Sequence, residues 1–79
     1  MKYIMFEDFG GDPVPVIFPN RIEFEQMREQ IPYSTVISAG YVQLRAGSFA
    51  THGRAADIDK DSRPEDAAII AEKFGAPES

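Results

Sequence analysis

The stretch Thr35 to Gly53, TVISAGYVQLRAGSFATHG, lies inside the longest acid-free run of the chain. Its Val, Ile, Tyr, Phe and Thr residues favour strands, and Arg45-Ala46-Gly47 reads as a turn between two of them. A lone hairpin is marginal in water. Its apolar side has to be covered, and the remaining sequence offers two N-terminal strands and two short helices for that purpose. The expectation is a small α+β domain.

The first strand is read in Lys2 to Asp8, with Ile4 and Phe6 on one side and Tyr3 and Met5 on the other. Apolar residues on both sides mark a central strand, or one whose outer face meets a partner. Gly10-Gly11-Asp12-Pro13 makes a loop. Val14 to Phe18 forms a second strand, which Pro15 confines to an edge or turns toward solvent at that position. Asn20 and Glu23 form a capping box with Pro19 and Phe24 as staple, so a helix is predicted from Asn20 to Ile31, stopped by Pro32. Phe24, Met27 and Ile31 share its apolar face. In the central hairpin Val36, Ser38, Gly40, Val42 and Leu44 alternate with Ile37, Ala39, Tyr41 and Gln43, and Gly40 marks a bulge or a close backbone approach. Ser62 with Glu65 is a second capping box, opening a helix whose stripe is Ala67, Ile70, Ala71 and Phe74 and whose stop is Gly75.

The predicted order is thus β-β-α-β-β-α, with a mostly antiparallel four-stranded sheet. One domain occupies 1–75, and 76–79 is expected to fray. The expected core comprises Ile4, Phe6, Val16, Phe18, Phe24, Met27, Ile31, Val36, Val42, Phe49, Ile70 and Phe74. The helices are expected on opposite faces, or one helix with a dimer contact on the other.

Seventy-nine residues make one domain near the size where a metal, a disulfide or a second subunit often helps. With no cysteine, disulfides and thiolate chemistry are excluded. The opening MKYIMFEDFGGD meets Glu7 and Asp8 too early for a signal peptide or a membrane span, which fits a cytoplasmic protein. The net charge of -5 disfavours direct nucleic-acid binding and favours a basic protein partner. Most of that acidity lies beyond Asp57, while the hairpin is almost neutral.

Asp57, Asp59 and Asp61 are spaced like the opening of a calcium loop, with Glu65 at the ninth position. Ser62 replaces the glycine required at the sixth position and Ala68 the bidentate glutamate at the twelfth. No metal or other cofactor is therefore expected, and the segment reads as a solvated acidic loop or a protein-binding patch. Glu7, Asp8 and Asp12, flanking a turn, read as solvated too. His52 is the only histidine, and no serine or carboxylate pattern makes it catalytic. Phe9, Tyr33 and Tyr41 are candidates for exposure, and aromatics at a strand surface suit an interface. The candidate protein-binding residues are Tyr33, Tyr41, Asp57, Asp59 and Asp61.

The opening MKYIMFED, with PVIFPN and SRPEDAAII, resembles the small acidic uncharacterised proteins encoded by bacteria, phages and prophages. That resemblance implies an accessory or host-interaction role and carries no site residue with it. The function expected is non-enzymatic protein binding. One alternative is an acidic nucleic-acid mimic that blocks a basic DNA- or RNA-binding surface; another is a small enzyme or enzyme subunit using His52. A homodimer is expected on the ground that open sheet edges need cover.

Overall fold

The computed structural model describes residues 1–32 and 34–74. Tyr33, the Gly75 stop and the expected fraying over 76–79 lie outside the described residues. The elements are β1 (Lys2–Glu7), β2 (Pro13–Phe18), α1 (Phe24–Gln30), β3 (Thr35–Arg45), β4 (Ser48–His52), β5 (Arg54–Ala55), a 3-10 turn (Ala56–Ile58), β6 (Lys60–Asp61) and α2 (Pro64–Phe74). The four long strands form one antiparallel sheet in the order β2-β1-β3-β4, as the hairpin and its flanking elements require.

β1 lies in the middle, which explains its apolar side chains on both faces. Ile4 and Phe6 join Phe18, Phe24, Val36, Ala39 and Ala55 in one core. Tyr3 and Met5 join Val42 and Ile70 in a second core on the other face. α1 and α2 therefore cover opposite faces. Phe24 anchors α1, meeting Phe18 and Tyr41 edge-on at centroid distances of 5.8 and 5.7 Å. The Lys2 ammonium lies 5.0 Å from the Phe24 ring and donates to the Ile22 carbonyl at 2.8 Å, so even this lysine is buried.

A bulge sets which residue faces which core. Met5 pairs with Ser38 but Phe6 pairs with Val36, leaving Ile37 as the extra residue. Simple alternation puts Val36 and Ser38 on one face. The bulge instead sends Val36 to the α1 core and keeps Ser38 on the α2 side.

Four expectations need correction. α1 begins at Phe24, with Glu23 as its cap, one turn later than Asn20. The Gln26 side chain accepts the Glu23 N–H at 3.0 Å, while 19–22 form a turn closed by Ile22 N–H to the Pro19 carbonyl. Ser62 does not cap α2 but donates to the Gly53 carbonyl at 2.8 Å. Phe74 is 51% exposed, while the small Ala39 and Ala55 are fully buried. The segment 54–61 is a small hairpin rather than a loop; its Asp57, Asp59 and Asp61 are exposed as expected, while the hairpin extends the α1 layer over β3. α1 has only 7 residues and cannot cover that face alone, so Ala55 and Ile58 complete it. Gly40 allows this arrangement: a Cβ there would stand 2.8 Å from both the His52 carbonyl oxygen and the Ser62 Cβ.

Candidate functional site

The first turn of α2 brings a buried carboxylate onto the sheet. Pro64 opens the helix, and Asp66, its third residue, reaches back to accept the Arg63 backbone N–H at 3.0 Å. The same oxygen accepts the Ser38 hydroxyl at 2.7 Å and the Tyr3 hydroxyl. The other oxygen accepts Nε and Nη2 of Arg63 at 2.9 and 2.7 Å. Thr51 adds a bond from its hydroxyl to the Arg63 carbonyl at 3.0 Å. Among the described residues no buried side-chain nitrogen or oxygen lacks a partner.

Burial works to raise the pKa of Asp66, but donors from Tyr3, Ser38 and Arg63 outweigh it and hold the carboxyl below its usual range. The Tyr3 phenol moves up, first through burial and then through the carboxylate beside it. A carboxylate accepting five hydrogen bonds has little capacity left to take a substrate's proton. It latches α2 to β1 and β3.

The acidic residues beyond β4 are also engaged within the fold. Asp57 accepts the Glu25 N–H at 2.9 Å, closing the open end of α1 from a distant part of the chain. Arg54 donates from Nη1 to Asp61 at 2.9 Å and from Nη2 to Asp59. These two bonds, Asp61 first and then Asp59, hold the guanidinium still more firmly protonated than usual. Asp59 sits in the left-handed region at φ 55°, which turns the chain between β5 and β6. Among the described residues no group of three or more His, Asp or Glu is arranged to hold a metal ion. Of the five sequence candidates, Asp57, Asp59 and Asp61 thus have internal partners. Tyr41 is half-buried against Phe24, with His52 stacked on it at 5.8 Å and 23°.

A second exposed feature is the tip and outer edge of the β3–β4 hairpin. β2 and β4 are the two sheet edges. β2 carries Pro13 and Pro15, which cannot donate to an added strand. β4, SFATH, carries no proline, lysine or acid. Phe49 and Thr51 are half-buried, whereas Ser48, Ala50 and His52 are exposed. Beyond Val42, which bonds to Met1, β3 has no pairing with β1, so the hairpin tip projects past the sheet. Leu44, opposite Phe49, is 61% exposed there. Sequence reasoning identified the hairpin but not this edge, because strand order depends on which neighbours β1 takes. It also missed the Tyr3–Ser38–Asp66 cluster; the Arg-Pro-Glu-Asp opening of α2 was the signal available.

Comparison with protein families, with curated proteins and with solved structures finds no match for this chain. No helix among the described residues is long and apolar enough to cross a membrane.

Proposed function

We propose that this chain is a non-enzymatic binding domain that takes up an extended segment of a partner protein along β4. The supporting observation is the contrast between the edges. β2 is blunted by prolines, while β4 is open, uncharged and flanked by exposed Leu44. Added strands gain affinity from main-chain hydrogen bonds and specificity from pockets for alternate side chains. Leu44 and the half-buried Phe49 would supply the apolar contact. The chain as a whole carries a net charge of -5, which steers a basic partner toward the domain. With the resemblance to phage and bacterial accessory proteins, the proposal extends to a host-interacting role in the cytoplasm.

The test compares two double variants in affinity capture from the native host. Leu44→Lys with Ala50→Lys should leave urea unfolding near that of the parent and abolish capture of the specific partner. Asp59→Lys with Asp61→Lys should weaken capture mainly at low salt. Capture unaffected by the Leu44/Ala50 pair would refute strand addition at β4. Sedimentation of the purified chain shows whether the strand taken up belongs to a second copy.

A further inference from the structure

At the end of β3 remote from the hairpin tip, an open cleft of about 410 Å³ lies between the last turn of α1, the start of β3 and the β5–β6 hairpin. Its size falls within the range of small-molecule sites. Arg28 and Lys60 line it together with Ser34 and Thr35, over the apolar Val36 and Ile58. Both cations are half-buried, and neither makes an ion pair among the described residues. The other cations without an ion pair among the described residues, Arg21, Arg45 and Lys73, are exposed, so it is half-burial without a carboxylate that sets Arg28 and Lys60 apart.

The Arg28 guanidinium is held in place, because Nη1 donates to the Ile31 carbonyl at 2.9 Å. Nε and Nη2 make no hydrogen bond among the described residues and leave a two-donor edge suited to an oxyanion. Lys60 is placed by β6, and both of its sequence neighbours, Asp59 and Asp61, are held by Arg54. Hydroxyls at Ser34 and Thr35 can add neutral donors. Charged donors over an apolar floor favour an anionic head group on a compact apolar body.

We propose that this cleft binds a small organic anion, with its oxyanion between Arg28 and Lys60 and its apolar part against Val36 and Ile58. Both carboxylates and phosphate monoesters carry the required head. The inference is independent of strand addition at β4, since it uses the other end of β3.

The experiment titrates the isotope-labelled chain with benzoate, phenyl phosphate and benzyl alcohol and follows the backbone amide shifts. Benzoate or phenyl phosphate should give saturable shifts at Thr35, Val36, Ile58 and Lys60, and the tighter of the two identifies the head group. Benzyl alcohol should not saturate the site. Lys60→Gln, which removes a side chain with no internal bond among the described residues, should weaken binding roughly tenfold. No saturable shift with either anion at millimolar concentration overturns the proposal. So does undiminished binding in Lys60→Gln, or benzyl alcohol binding as tightly as the anions.

Discussion

The hydroxyl of Tyr3, on the central strand, donates to the carboxylate of Asp66 on the last helix. Both side chains are fully buried, and 63 positions of sequence separate them. The bond closes the fold from its first strand to its last element. It also lies in a low-dielectric interior, where a satisfied polar network fixes a single arrangement and a broken one is costly.

Removing the carboxylate should therefore cost far more than removing one donor. Asp66→Ala strands the Tyr3 and Ser38 hydroxyls, and the expected loss is about 3 kcal/mol. Tyr3→Phe leaves Asp66 four donors and should cost about 1 kcal/mol. In a double-mutant cycle by urea unfolding, the combined loss should be smaller than the sum, because both changes remove the same bond. A strictly additive pair would mean that the Tyr3–Asp66 bond contributes nothing.

The same pair gives the stability a pH dependence of known sign. The folded pKa of Asp66 is lowered, so its contribution is present above the unfolded value of about 3.9 and is lost as pH falls through the folded one. The folded pKa of Tyr3 is raised, so its contribution is present below about 10 and is lost as pH rises beyond it. Asp66→Asn should flatten the acid limb of a plot of stability against pH, and Tyr3→Phe the alkaline limb. The urea midpoint measured from acid to alkaline buffer tests both.

Gly40 should tolerate substitution less well than Gly47. In Gly40→Ala the new Cβ meets the His52 carbonyl oxygen and the Ser62 Cβ at 2.8 Å, so the chain at the two ends of the 54–61 hairpin must shift. The expected cost is about 1–3 kcal/mol. Gly47 has φ +82° but open space around it, and its replacement by Ala should cost about 1 kcal/mol from backbone strain alone. Thermal unfolding of the two variants side by side decides the order.

The strand sequence, the hairpin and the two-faced character of β1 were all legible, because alternation and turn residues are local signals. The helix starts were read wrongly for a physical reason. Asn20 and Ser62 both suit a cap, yet Asn20 lies in the turn before α1 and Ser62 spends its hydroxyl on the Gly53 carbonyl. Val36 was placed on the wrong face because one bulged residue reverses everything before it. Phe74 fits the periodic stripe of α2, but periodicity does not show how far the sheet beneath the helix extends, and the ring is 51% exposed. The 54–61 segment gave the weakest signal of all. Its acids are solvated as the sequence suggests, but only the folded chain shows that Arg54 and the open end of α1 also bond them.

The cap of α1 supplies the last test. The free N–H of Glu25, in the first turn of the helix, is accepted by Asp57 rather than by any residue just before the helix. A carboxylate at that end also suits the helix dipole. Asp57→Ala should therefore cost about 1 kcal/mol, the usual worth of a cap, while Asp57→Asn keeps an acceptor and should cost less. Asn20→Ala, in the exposed turn before the helix, should change stability by only a few tenths of a kcal/mol, about the scatter of surface substitutions. Glu23 and Gln26 close the helix start locally in all three variants, so urea unfolding shows whether Asp57 or Asn20 supplies the remaining acceptor. Calcium gives an independent check, because Asp57, Asp59 and Asp61 must leave these partners to gather around a cation. Millimolar calcium should leave the melting temperature of the parent unchanged, and a rise that magnesium does not reproduce would show that the three carboxylates can converge after all.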